Sequence, residues 1–134
     1  MTPKETALLL AKALDSKKGL DIKVLETGHL TTLAGYFVLC SGTSTTLADY
    51  FVICSATSTT QIKALGDVCE KTMKEELGEL PHHVEGHRGG TWILLDFSAV
   101  VVHIFNEEAR EFYDLERLWS DATPVDLSDI LTEN

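Results

Sequence analysis

At 134 residues with 44% apolar side chains, the chain is long enough for one globular domain with a real core and too short for two of ordinary size. Asp and Glu outnumber Lys and Arg 21 to 11, a formal net charge of −10, and no basic stripe stands ready to displace counterions from a phosphate backbone. Direct, sequence-specific nucleic-acid binding is therefore excluded as an expectation, and the acidic surface suits solubility and steering toward a basic protein.

Thr2-Pro3-Lys4-Glu5 supplies an N-cap hydroxyl, a proline at the first helical position and a glutamate three residues past the cap. A helix is predicted over residues 3–17, with Ala7, Leu10, Ala11 and Leu14 on its apolar face and Gly19 as the left-handed residue that closes it. Residues 20–26, LDIKVLE, read as a short strand ended by Thr27-Gly28.

A tandem repeat follows. Residues 31–44 read TTLAGYFVLCSGTS and residues 45–58 read TTLADYFVICSATS, differing only at Gly35/Asp49, Leu39/Ile53 and Gly42/Ala56. Repeat architectures use longer periods and about three units, so this is a local duplication of one β-type segment inside another fold. The second copy leads into Ser58-Thr59-Thr60-Gln61, a capping box, whereas the first has Leu47 at the equivalent position. The second copy is therefore expected to occupy the strand. Gly35 and Gly42 favour a loop or edge role for the first, where an exposed copy could pair between chains to make a homodimer.

Ile62, Leu65, Cys69, Met73 and Leu77 mark one face of a helix that stops at Gly78. Residues 82–85 suit a short strand, and residues 92–95 and 100–105 suit a hairpin turning at Phe97-Ser98-Ala99. Asn106 offers a cap for a last helix whose apolar face is Phe112, Leu115 and Trp119. The domain is expected to end near residue 120, leaving residues 121–134 as a loose acidic tail. The order of elements predicts an α/β fold with a mixed sheet. No leader pattern opens the sequence and no apolar run approaches the ~20 residues that span a bilayer, so a soluble, cytoplasmic protein with no membrane partner is expected.

Cys40 and Cys54 are one position in the two copies, and with Cys69 they form no CxxC pair, so buried free thiols are expected. His82, His83, Glu85 and His87 lie close in sequence but lack the i, i+4 spacing of a zinc-binding helix face, and no metal is assigned to them. Gly86, Gly89 and Gly90 fit neither phosphate-loop pattern. There is no D-x-D carboxylate pair for Mg²⁺ and no GxSxG elbow, so neither catalysis nor a cofactor is expected.

Alternation along the hairpin places Trp92, Leu94, Asp96, Val101 and His103 on one face and Ile93, Leu95, Val102 and Ile104 on the other. The aliphatic set should meet the helices. The mixed set suits a partner surface anchored by Trp92, or else a sheet face covered by the tail or another helix.

LADYFVICSATSTTQIKALGD from residue 47, then HHVEGHRGGTWILLDFSAVVVHIFNEEAREFYDLERLW, resembles the ribosomal silencing factor, or Iojap-like, family. The likeness covers most of the chain once one repeat copy is set aside. It implies a nucleotidyltransferase-like fold without transferase activity. It also implies binding to ribosomal protein L-fourteen on the large ribosomal subunit, which blocks subunit joining and represses translation. By position the family's tryptophan is Trp92 and its strand acid Asp96, and a basic ribosomal protein could pair with Asp96 or Glu85. Two departures stand out: Ser98-Ala99 replaces the usual Gly-Asp turn, and the duplication adds a segment. The competing expectations are a nucleotide-handling enzyme on the related fold and a duplicated variant that has lost its partner.

Overall fold

A computed structural model of the chain describes residues 2–26, 50–86, 92–106, 110 and 123–131. Helix α1 (Pro3–Ser16) precedes strand β1 (Leu20–Glu26), and strand β2 (Tyr50–Ala56) precedes helix α2 (Thr59–Leu77). Strands β3 (His83–Glu85), β4 (Trp92–Asp96), β5 (Val100–Asn106) and β6 (Thr123–Pro124) follow. Among the described residues the strands form one six-stranded sheet in the order β3-β4-β5-β2-β1-β6. β2 and β5 run parallel and every other neighbouring pair is antiparallel, which is the mixed α/β architecture expected.

α1 starts as its sequence predicts. Thr2 Oγ1 accepts from the Glu5 amide at 3.1 Å, and the Thr2 amide donates back to Glu5 Oε1 at 2.9 Å, so two amides at the helix start are satisfied. Its end differs from expectation. The left-handed residue is Lys18, at φ 65°, not Gly19. Gly19 answers another demand: a Cβ there would stand 2.5 Å from Cys54 Sγ and 3.1 Å from the Leu14 carbonyl oxygen. The missing side chain lets the α1–β1 turn press against the middle of the sheet.

At the start of α2, Ser58 Oγ accepts from the Gln61 amide at 3.1 Å, as a cap should. The Gln61 side chain does not close the expected box with Ser58. Its Oε1 accepts from the Thr57 amide at 2.7 Å, and its Nε2 donates to the Lys18 carbonyl at 3.0 Å. One amide thereby ties the start of α2 to the end of α1. Gly78, at φ 66°, ends α2 in the left-handed conformation predicted for it.

The helices cover one face of the sheet. Leu10, Ala11 and Leu14 of α1 and Ile62, Leu65, Cys69 and Met73 of α2 belong to one buried cluster with Val24, Val52, Cys54, Ile93, Leu95, Val102 and Ile104. Full burial of each large aliphatic contributes roughly 1.5–3 kcal/mol. Gly66 faces the sheet, and a Cβ there would meet Ile93 Cδ1 at an ordinary van der Waals distance of 3.5 Å.

The second repeat copy forms β2, inserted between β1 and β5. The loop or edge role expected of the first copy, residues 31–44, lies outside the described residues, as does the last helix apart from Arg110, which is helical. The tail is corrected from loose to docked over part of its length. Thr123–Pro124 pairs with β1, the Val125 amide donates to the Val24 carbonyl at 2.9 Å, and Leu127 is buried in the core. Val125, Leu127, Ile130 and Leu131 supply the apolar side chains that hold an otherwise acidic segment down. No helix among the described residues is long and apolar enough to cross a membrane.

Lys18 and Gly19, in the turn after α1, are expected to respond oppositely to substitution. Gly19→Ala should destabilise the protein by about 1–3 kcal/mol through overpacking against Cys54, while Lys18→Gly should stabilise it by roughly 0.5–1 kcal/mol by relieving a left-handed side-chain residue. Urea denaturation of both variants checks the pair, and a gain from Gly19→Ala would refute the close-approach account.

Candidate functional site

The β4–β5 hairpin builds the face singled out by its alternation. Leu94 lies opposite His103, Asp96 opposite Val101, and Trp92 opposite Phe105, while Ile93–Ile104 and Leu95–Val102 point to the helices. β3 extends the same face, with Glu85 opposite Leu94 and His83 opposite Asp96. The turn is a two-residue loop, Ser98-Ala99, with the Phe97 amide donating to the Val100 carbonyl at 2.9 Å. Ser98 sits at φ 73°, a conformation that favours glycine at the first central position of such turns. Asp96 Oδ1 accepts from the Ser98 amide at 2.8 Å and steadies it.

The open-face expectation is corrected at four of the residues on it. Leu94, Asp96, Val101 and His103 are 0, 4, 1 and 0% exposed, so the middle of this face is covered and does not present side chains to a partner. Asp96 holds the turn through the Ser98 amide. The missed signal is in the pattern itself: VVVHIF at residues 100–105 and YFVIC at residues 50–54 are unbroken runs, which mark strands buried on both faces. His103 belongs to a stack of rings, parallel to Phe51 at 5.2 Å and to Phe105 at 5.9 Å between centroids. Complete burial pushes its pKa down to about 3, so the imidazole is neutral at physiological pH.

What remains accessible is the margin at β3. Trp92 and Glu85 are half-buried and His83 is exposed. Trp92 lies over Phe105, with ring centroids 6.2 Å apart and planes 14° from parallel. Gly86, at φ 90°, packs directly on it: a Cβ would come within 2.8 Å of Trp92 Cε3 and closer still to the Trp92 carbonyl oxygen. Gly86 thereby holds the indole in position. Glu85 Oε2 is 2.6 Å from His83 Nε2. His82 is exposed, and His87 lies outside the described residues. Among the described residues no group of three or more His, Cys, Asp or Glu is placed to hold a metal ion.

Both described cysteines are free and buried. Burial pushes the Cys54 thiol up to about 12 against the opposing charge of Arg110, and burial likewise pushes Cys69 upward, so both stay protonated and make poor nucleophiles. Arg110 is a residue that pattern reading passed over. Its Nη1 donates to the Asp21 carbonyl at 2.7 Å and to Ser55 Oγ at 2.8 Å, joining the segment after β5 to β1 and β2. An open cleft of about 550 Å³ lies at the turn end of the hairpin between Thr6, Leu77, Leu80, His82, Phe97 and Ser98.

The profile of the family described as ribosomal silencing factor during starvation matches residues 1–48 and 44–134. The chain is 30% identical to a ribosomal silencing factor RsfS of Halalkalibacterium halodurans, over 98% of this chain and 100% of that protein. It is 32% identical to a Bacillus subtilis protein of the same name, over 95% of each. Among solved structures it is similar to a crystal structure of a Chromobacterium violaceum protein, with a TM-score of 0.75, 30% identity and 98% of each chain covered.

The buried neutral His103 makes stability depend on pH in a defined direction. Its folded pKa of about 3 lies below the ordinary 6.5, so the unfolded chain binds the extra proton between these values. Stability is complete above about pH 6.5 and falls as pH drops toward 3, by up to about 1.4 kcal/mol per pH unit from this residue. Urea titrations of wild type and His103→Leu at pH 7, 6, 5 and 4 should show a shallower loss in the variant. Equal slopes would mean that His103 does not stay neutral in the folded protein.

Proposed function

The chain belongs to the ribosomal silencing factor family, and on that premise we propose that it binds the large ribosomal subunit and represses translation by blocking subunit joining. The carrying observation is the family match along both stretches of the chain, residues 1–48 and 44–134. The partner on the subunit is ribosomal protein L-fourteen, and the mechanism is steric: a protein seated where the small subunit must dock excludes it without bond chemistry. On this reading the fold is a nucleotidyltransferase-like scaffold retained for its shape, the protein is not an enzyme and needs no cofactor, and it works in the cytoplasm, where ribosomes are.

Two physical features support binding at the β3 margin. A net charge of −10 favours encounter with a basic ribosomal protein. Trp92 offers a partly exposed aromatic surface whose orientation is already fixed by Phe105 beneath it and Gly86 beside it, so little side-chain entropy remains to be lost on binding. Glu85, whose Oε2 lies 2.6 Å from His83 Nε2, offers a half-buried carboxylate on the same margin for an arginine or lysine. Leu94, Asp96, Val101 and His103 act from behind, by holding the strands that carry these groups.

Titration against purified large ribosomal subunits tests the reading. Trp92→Ala, in a variant shown to remain folded, should weaken binding by about 2 kcal/mol, roughly thirtyfold. Gly86→Ala should weaken it in the same direction by displacing the indole. Unchanged affinity in both variants would move the interface away from this margin, and no binding by the wild-type chain would reject the function.

A further inference from the structure

We propose that the two repeat copies compete for the single place between β1 and β5, giving the chain two folded forms: one with residues 50–56 as the central strand and one with residues 36–42 there. The place makes specific demands at successive positions, and the first copy meets them. Phe51 stacks on His103 at 5.2 Å, and the equivalent residue is Phe37. Val52 is fully buried against the helices, and the equivalent is Val38. Cys54 lies against Gly19, where a bulkier residue would collide, and the equivalent is Cys40. Ser55 Oγ accepts from Arg110 at 2.8 Å, and the equivalent is Ser41. Leu39 for Ile53 conserves volume, which cores tolerate best, and Gly42 for Ala56 removes one methyl group.

The connections permit either occupant. β1 and β2 are antiparallel with Glu26 opposite Tyr50, so residues 27–49 span the link in one form and residues 27–35 in the other. Antiparallel neighbours need as few as two linking residues. At the far end Thr57 and Ser58 alone join β2 to α2, and residues 43–58 would do so in the second form. Closing a longer loop grows only logarithmically in cost. Ser58 and Gln61 cap α2 in both, because neither lies in the exchanged strand. The family profile also matches in two stretches that meet at residues 44–48, the join between the copies.

Exchange requires β2 to leave both ladders, its seven-residue pairing with β5 and its pairing with β1, so the forms are set during folding and interconvert only through large-scale opening. They share a core but differ in where the surplus copy emerges. In one form it is joined to the chain through Glu26, which lies opposite Tyr50, and in the other through the end of the strand that lies opposite Asn106.

Full-length Val52→Asp, Val38→Asp and the double variant separate the possibilities by circular dichroism and thermal melting. Val52→Asp should keep a cooperative transition at a lowered Tm because residues 36–42 take the place, Val38→Asp should melt near wild type, and the double variant should be unfolded. Unfolding of Val52→Asp to the extent of the double variant overturns the proposal, as does a double variant that remains folded. The milder pair Val38→Ala and Val52→Ala provides a second reading: the double variant should lose more Tm than the two single variants combined, and a strictly additive loss overturns the exchange.

Discussion

The parallel pairing of β2 with β5 is the constraint from which the rest of the structure follows. The ladder runs in register from Tyr50–Val100 to Ala56–Asn106, and each of these strands has a further neighbour, β1 on one side and β4 on the other. Both strands are therefore hydrogen-bonded along both edges and buried on both faces, the condition under which apolar runs cease to alternate. On one face Val52, Cys54, Val102 and Ile104 form the floor for the two helices. On the other, Phe51, His103 and Phe105 place their rings in parallel. Cys54 links this centre to the periphery, since Gly19 must lack a side chain for the end of α1 to lie against it.

That centre also governs what the accessible margin can do. A binding surface on a short edge strand is only as well defined as the strands behind it, and β3 has three residues. β4 holds β3, β5 holds β4, and the indole of Trp92 rests on Phe105 of β5, so the margin inherits the rigidity of the core. The residues divide the work accordingly. Trp92 and Glu85 are half-buried at the margin; Leu94, Val101 and His103 keep the sheet closed behind them, and Asp96 fixes the hairpin turn through the Ser98 amide. A neutral, ring-stacked histidine in such a place is a packing element, and its acid sensitivity is a consequence of burial.

Much of the fold was legible because local chemistry and tertiary context agree there. The Thr2–Glu5 box, the Ser58 cap, the left-handed Gly78 and the 3.6-residue periodicity of both helices depend on neighbours a few residues away. The hairpin register was legible for the same reason, since a two-residue turn leaves strand alternation little freedom. Misreadings fall where a long-range contact decides. Gly19 resembles a helix terminator until Cys54 is placed against it, Gln61 resembles half of a capping box until the Lys18 carbonyl comes within reach, and the tail resembles a solvated segment until Val24 accepts from the Val125 amide.

By itself the sequence determined the class of fold, helices α1 and α2, strands β1 to β5, the faces of the hairpin and the family to which the chain belongs, because periodicity, caps and motif spacing are written in residues near one another. It also contained two nearly interchangeable strands that differ by three mild substitutions, and the cap that follows the second pointed to that copy as the strand. The tertiary structure bears out the second copy between β1 and β5, and it alone decided that the mixed face of the hairpin is closed at its middle and accessible at the β3 margin. The physical reason is that alternation assigns a side chain to one of two faces, whereas its exposure depends on what else the chain folds against that face.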